Sequence, residues 1–342
     1  VRRRGRSVLQ DSGVGHLFCC FAMPMTNALL LLGLTKTAWS AGLPPSLRLP
    51  CEELLNASLL PEGLLATSRV PKQQRFCIFL HDELHDSWLS KTISKRGRLH
   101  PAEENFIENA IQSILAVRAV AQRQDGCRVH VLDVGGNIGW ISLVAASVSP
   151  HVCVTVVEPF RWHSTLLKAS INLNGLGKRV HLVEALVADT PGPDMCMVAS
   201  PSNGASTMVK AGDDVARCRA QGGVMTPRTT IDQLLAESPF GSAVDVMKMD
   251  VEGFEALALA GARQLLAAPP PHVCMEWIGW RIKRQSGVDP VVWLNATFPA
   301  SRWHRVISNG PSDATEVNTW LDGWQRPGSP FAKGGDLLLT LK

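Results

Sequence analysis

The sequence predicts an α/β protein built on a doubly wound, mostly parallel sheet of seven strands with helices on both faces. Three observations predict it. From residue 129 onward, short apolar runs alternate with stretches of helical periodicity. The runs VHVLDV (129–134) and VCVTVV (152–157) lack two-residue alternation, as strands covered on both faces do. Glycine, proline and asparagine punctuate the boundaries between them. Right-handed crossovers wind such strands into an open sheet, and ligands bind beyond its carboxyl ends, near the switch point beside the first strand.

Taken in order, Val129–Val134 is the first strand, Gly135-Gly136-Asn137-Ile138-Gly139 a tight turn, and Trp140–Ser147 a helix. Val152–Val157 is the second strand; a helix from about Arg161 to Leu173 follows and ends at Asn174-Gly175, which suits a left-handed cap. Val180–Val187 is the third strand. Residues 190–227 are polar and rich in glycine and proline, and receive no element. Thr230–Leu235 starts a short helix, Val244–Met249 is the fourth strand, and Phe254–Leu266 a helix halted before Pro269-Pro270-Pro271. Val273–Ile278, Trp303–Ile307 and Leu337–Leu341 supply strands five to seven.

Composition excludes several functions. With 342 residues, 45% apolar and 19% charged, the chain has material for a sizeable core. Thirty-four Lys+Arg against 30 Asp+Glu leave +4, an excess that Arg2, Arg3, Arg4 and Arg6 alone supply, so no basic field for nucleic acid is present. Nine cysteines without a C-x-x-C pair argue against the common zinc frameworks, and the absence of tyrosine removes tyrosine-based chemistry. His81-Asp82-Glu83-Leu84-His85 departs from H-E-x-x-H at its second position and reads as surface polar sequence; no metal ligand set is assigned.

The chain divides into a leader (1–50) outside the fold, lead-in helices and a linker (51–128), and the α/β domain (129–342). Four arginines precede a run from Val14 to Leu34 that is uncharged apart from His16, and small residues follow at Ala38–Ala41. That order resembles a secretory signal or anchor, with residues 14–34 as a possible membrane segment; the lack of acids between Asp11 and Glu52 also suits an organelle transit peptide. Location in the secretory pathway is the expectation. The acceptor triplets at Asn56 and Asn295 accord with it. Cys51, Cys77, Cys196 and Cys218 lie in loops or edges and could pair in an oxidising compartment; Cys153 and Cys274 read as small buried hydrophobes.

Acidic residues collect at the predicted strand ends. Asp133 stands two residues before the glycine turn, where a carboxylate disfavours a pyrophosphate but suits the cationic, amino-acid-like end of S-adenosylmethionine. The following helix is expected to offer free N–H groups. Glu158 ends the second strand, placed to accept both hydroxyls of a ribose. Glu184, near the end of the third, could meet an adenine edge. Lys248 and Asp250 share one face of the fourth strand, with Glu252 just beyond. A buried lysine needs a partner, and Asp133, Asp250 or Glu276 could serve. Alternatively Asp250, with Glu276 at the end of the fifth strand, removes a proton from substrate.

Six segments together carry a family resemblance: VLDVGGNIGW (131–140), VVEPF (156–160), INLNGL (171–176), TTIDQLL (229–235), VDVMKMDVEGFEALALAGARQLL (244–266) and HVCMEWI (272–278). In order and spacing the chain resembles the FkbM family of S-adenosylmethionine-dependent methyltransferases. Residues 81–97 and SNGAST (202–207) look like further family elements. The resemblance implies the class I methyltransferase (Rossmann-like) fold with its last strand inserted antiparallel. It implies S-adenosyl-L-methionine as cofactor and O-methylation of a hydroxyl on a sugar, glycan or small metabolite. By matching position, Asp133, Gly135, Gly136, Asn137 and Gly139 would line the methionine end, Glu158 would hold the ribose, and Glu184 would approach the adenine. Asp250, Glu276 and Lys248 are the candidate catalytic residues. Gly136 stands where many members carry alanine. Two other readings remain: a catalytically silent scaffold on the same fold, and a nicotinamide-dependent oxidoreductase. The acceptor pocket is expected from 190–227 and from Trp277–Trp293, where Trp277, Trp280 and Trp293 accompany Arg281, Lys283 and Arg284.

Overall fold

A computed structural model describes residues 65–67, 76–81, 86, 88–118, 126–199, 207–210, 215–220, 222–310, 313–317 and 335–342. The expected leader, the run 14–34, Asn56, residues 82–85 and most of 202–207 lie outside them. No helix among the described residues is long and apolar enough to cross a membrane.

In chain order the elements are β1 (Leu65–Thr67), β2 (Cys77–Phe79), α1 (Leu89–Arg96), α2 (Pro101–Val117), β3 (Val129–Val134), α3 (Trp140–Val148), β4 (Val152–Val157), α4 (Arg161–Leu173) and β5 (Val180–Val183). Next come β6 (Leu186–Val187), β7 (Gly192–Ala199), β8 (Thr207–Lys210), α5 (Val215–Ala220), β9 (Val224–Thr229), α6 (Ile231–Ala236), β10 (Val246–Met249), α7 (Glu255–Ala260) and α8 (Arg263–Ala267). The chain continues through β11 (His272–Trp277), α9 (Gly279–Ser286), α10 (Pro290–Thr297), β12 (Trp303–Gly310), β13 (Asp313–Glu316) and β14 (Gly335–Leu341).

The main sheet has the order β13-β12-β14-β11-β10-β3-β4-β5. Strands β5, β4, β3, β10 and β11 are parallel; β14 lies antiparallel between β11 and β12. The chain steps from β3 outward to β5 and then returns to β10 on the other side of β3, so the switch point falls between β3 and β10. This is the predicted doubly wound arrangement, extended by one edge strand, β13, that the sequence pattern did not reveal. Side chains alternate between two cores. Val129, Val131, Val154 and Val246 pack under α2, α3 and α4. Leu132, Val134, Met247, Met249, Val273 and Met275 pack under α6 to α10. Each such buried side chain contributes on the order of 1.5–3 kcal/mol.

Four expectations need correction. The third strand ends at Val183, because the chain leaves the main sheet and Leu186–Val187 pairs with β9 instead. The helix expected over 254–266 is two helices, since Gly261 presses on the Ala188 carbonyl oxygen and the Thr230 side chain, where a Cβ would collide. Residues 190–227 build a second sheet, β6-β9-β7-β8, tied to α5 by the Cys196–Cys218 disulfide. Cys153 is not a thiol: it is bonded to Cys127, just before β3. Cys77 is disulfide-bonded too, and Cys274 is free and buried as expected.

Candidate active site

The glycine turn closes on the neighbouring strand. Asp250 donates its backbone N–H to the Val134 carbonyl (2.9 Å), which brings the Asp250 carbonyl against the α-carbon of Gly135. A Cβ there would overlap that oxygen, and φ of +83° adds strain for any other residue. Asn137 holds φ of +49°. The amides of this turn are spent within the fold. Those of Gly135 and Gly136 both donate to the Val157 carbonyl (3.0 Å each), and that of Gly139 to the Gly136 carbonyl (2.8 Å). Asn137 N–H goes to Glu158 Oε2 (2.8 Å) and Ile138 N–H to Asn137 Oδ1 (2.7 Å). A pyrophosphate would find no donor in the turn.

Glu158 is anchored from both sides. Besides the Asn137 amide on Oε2, its Oε1 accepts from Phe160 N–H (2.8 Å) and stands 3.5 Å from His163 Nδ1. Asp133 is fully buried beneath the turn. Its Oδ2 accepts from Ser142 Oγ (2.6 Å), while Oδ1 has no hydrogen bond and lies 3.7 Å from Lys248 Nζ. Burial raises the Asp133 pKa, against the pull of Lys248 and Ser142.

Lys248 lies opposite Asp133 in the parallel register. Its Nζ donates to the Gly135 carbonyl (3.0 Å) and lies 3.7 Å from Asp250 Oδ2. Burial would depress its pKa, but Asp250, Asp133 and Glu103 outweigh that and hold it above the ordinary lysine value. The predicted ion pairing is therefore present with two of the three suggested acids. Glu276 instead approaches Arg281 (Nη1 to Oε2, 3.8 Å), which hydrogen-bonds to Glu252.

Carboxylates crowd this end of the sheet. Burial, reinforced by Asp250, raises Glu252 to about 7. Burial, with Asp250, Glu252 and Glu255, lifts Glu276 well above the carboxylate range. Glu255, 1% exposed, accepts from the amides of Val251 (3.3 Å) and Gly253 (3.2 Å), yet burial still raises it to about 7.

A cavity of about 340 Å³ opens at the switch point. Gly135, Gly136, Asn137, Glu158, Lys248, Asp250, Glu252 and Glu276, all singled out in the sequence, line it. Three expected residues do not. Asp133 is sealed behind the turn, and Gly139 is taken up by contact with the Leu167 side chain at the start of α3. Glu184 turns away: Ser164 Oγ (2.6 Å) and Lys168 Nζ (3.0 Å) hold its carboxylate outside the cavity, with the Ser164 hydrogen bond chiefly lowering its pKa. Of the expected acceptor segments, Met197 and Arg281 reach the cavity. Trp277 is core, Trp280 is exposed with Arg281 over its ring at 5.6 Å, and Lys283 and Arg284 face solvent. Sequence reasoning missed His100, Glu103 and His163 on the wall. The first two sit in His100-Pro101-Ala102-Glu103, whose proline marks a helix start.

These residues fit S-adenosylmethionine. Glycines at 135 and 136 let the turn lie tight against the neighbouring strands at the cavity's edge, an anchored carboxylate stands where a ribose hydroxyl pair can donate, and the acid-rich wall suits a sulfonium.

The inserted antiparallel strand and the cavity at the switch point define a class I methyltransferase fold. A family model described as the methyltransferase FkbM domain matches residues 133–322, more than half of the chain, and the chain belongs to that family. It is thus a methyltransferase by family, with S-adenosylmethionine the implied cofactor. Among solved structures it is similar to the methyltransferase FkbM from Methylobacillus flagellatus KT at 14% identity, covering 76% of this chain and 56% of that one, TM-score 0.38. It is also similar to the O-methyltransferase from Bacillus cereus in complex with SAH (12%, 76% and 99%, TM-score 0.35). A SAM-dependent methyltransferase from Agrobacterium tumefaciens is similar at 12%, covering 83% and 71%, TM-score 0.38. No curated protein sequence matches the chain.

Proposed function

We propose that the protein transfers a methyl group to a hydroxyl oxygen of a small-molecule or glycan acceptor. The observation that supports the reading best is the turn whose five amides are spent internally, facing an anchored Glu158 on one side and Asp250 on the other. That arrangement disfavours a dinucleotide and with it the oxidoreductase reading. When bound, S-adenosylmethionine supplies an activated methyl on a sulfonium. Glu158 holds the ribose hydroxyls, and the tight turn sets their distance from Asp250. Asp250, its side chain one-third exposed at the cavity, takes the acceptor's hydroxyl proton. Burial and the neighbouring carboxylates favour the neutral form of Glu276, which ranks it behind Asp250 as a base. Lys248 keeps the Gly135 carbonyl and the Asp250 carboxylate in register. Leu186, Val187 and Met197 of the second sheet cover the cavity and exclude water. A secretory-pathway location is part of the proposal; the Cys127–Cys153 and Cys196–Cys218 disulfides support it, since such bonds persist where the compartment is oxidising.

The test begins by identifying the acceptor from cell-extract fractions that gain label from a methyl-labelled donor. Asp250→Asn is then expected to bind S-adenosylhomocysteine normally in calorimetry while turnover falls about 10²–10⁴-fold. Unchanged turnover removes Asp250 from the role of base.

A further inference from the structure

We propose that His100, Glu103 and Asp336 form a binding site for a divalent transition-metal ion on the wall of the cavity. His100 immediately precedes α2 and Glu103 lies in its first turn, a spacing of three that puts both on one helix face. Asp336 comes from β14, more than 230 positions away in the chain, and stands opposite Glu276 in the antiparallel register. One ligand atom from each of the three lies within 4.8 Å of the other two.

The hydrogen-bonding of adjacent acids separates a carboxylate satisfied by surrounding N–H groups from one whose partner is another acid. Glu104 accepts from Arg98 Nε (2.6 Å), Leu99 N–H (3.1 Å), His100 N–H (3.0 Å) and Trp140 Nε1 (2.8 Å), a complete set. Glu103, also buried at 4% exposure, lines the cavity, and among the described residues its side chain is hydrogen-bonded only to another acid, Asp336. Among the described residues, no Lys or Arg nitrogen lies within 4.0 Å of the Glu103 or Asp336 carboxylate. The nearby cations are engaged elsewhere: Lys248 on Gly135, Asp133 and Asp250, and Arg281 on Glu252 and Glu276. Two carboxyl groups are thus held together with a third, Glu276, directly across the strand pair, an arrangement that costs stability unless a shared proton or a cation sits among them, and a cation can take the place of that proton.

One imidazole nitrogen and two carboxylate oxygens suit Mn²⁺, Fe²⁺ or Zn²⁺ better than Mg²⁺ or Ca²⁺, which prefer oxygen alone. Three protein ligands leave positions open. Because His100 and Glu103 line the cavity, those positions face the space beside Asp250. The ion would hold the acceptor's oxygen there for deprotonation; this role, unlike the binding itself, rests on the methyl-transfer reading.

The full chain, stripped with chelator, is titrated with Mn²⁺ while free Mn²⁺ is followed by electron paramagnetic resonance. Zn²⁺ is measured by competition against Mn²⁺. The expected result is one ion per chain, with spin-echo modulation from a single imidazole ¹⁴N that disappears in His100→Ala. Asp336→Asn and Glu103→Gln should each weaken binding at least about tenfold, whereas Asp189→Asn, an exposed acid outside the cavity lining, should not. Absence of stoichiometric binding at millimolar cation overturns the site, as does binding without nitrogen modulation or binding unaffected by all three variants. Calorimetry with S-adenosylhomocysteine on the same samples keeps the two ideas apart. Nucleoside binding without metal binding defeats the metal site and leaves the methyltransferase standing; metal binding without nucleoside binding does the reverse.

Discussion

Lys248 shows at the residue scale how this site costs and stabilises at once. Its side chain is 8% exposed and its ammonium faces a fully buried Asp133. Removing one partner of such a pair leaves an uncompensated charge, at about 3–5 kcal/mol. Lys248→Met is therefore expected to lower the unfolding free energy by about that amount in urea. Asp133→Asn combined with Lys248→Met should recover part of it; strictly additive losses would show that the pair is not coupled. Glu255 makes the complementary case. Its pKa in the fold is about 7 against an ordinary 4.5, so the native state keeps a proton that the unfolded chain releases. The associated stability is intact below about pH 4.5 and is lost as pH rises through 7. Glu255→Gln accepts the same two amides without ionising. It should be the more stable protein at pH 8, by about 3 kcal/mol, and show a shallower fall in melting temperature between pH 5 and 8. Glu252 and Glu276 shift in the same direction, so some slope remains. Equal slopes in the two proteins would discard the assignment.

At the scale of elements, the second sheet is the part most open to adjustment. It follows β5 through β6, only two residues long, runs from β9 into α6, and has its β7 and α5 linked by the Cys196–Cys218 disulfide. Gly223 fits between the two sulfurs, 2.7 Å from each at the position a Cβ would take. A bridge spanning 22 residues contributes about 3 kcal/mol in the chain-entropy account. Replacing both cysteines by serine should speed hydrogen exchange over 192–229 and raise the acceptor KM, because Met197 of β7 lines the cavity. Affinity for S-adenosylhomocysteine should hardly move, since the glycine turn and Glu158 belong to the main sheet. Unaltered exchange in that segment would mean the bridge does not organise it.

For the whole molecule, the switch-point cavity ties α2, both flanks of the main sheet and the second sheet into one binding unit. A ligand bound there stabilises the whole fold by mass action, about 2.7 kcal/mol at a hundredfold excess over Kd. S-adenosylhomocysteine should therefore raise the melting temperature by several degrees and NAD should not; the opposite pattern would favour the oxidoreductase reading. Strands β3, β4, β10 and β11, the glycine turn, Glu158 and Asp250 could all be read from the chain, because apolar runs, glycines and strand-end acids act over a few residues. The second sheet escaped that reading: its strands are short, polar and interrupted, and their pairing partners and disulfide come from distant positions. Asp133 and Glu184 were placed at the right strand ends but given the wrong outlook, since Ser142, Ser164 and Lys168 decide where their oxygens point. His100 and Glu103 carried only a helix-start signal. Local pattern was thus enough for the sheet and for one lip of the cavity. Which acids face one another there, which are sealed away and which stay unpaired depended on register and helix docking, which join residues far apart in sequence through contacts that no short stretch of chain encodes.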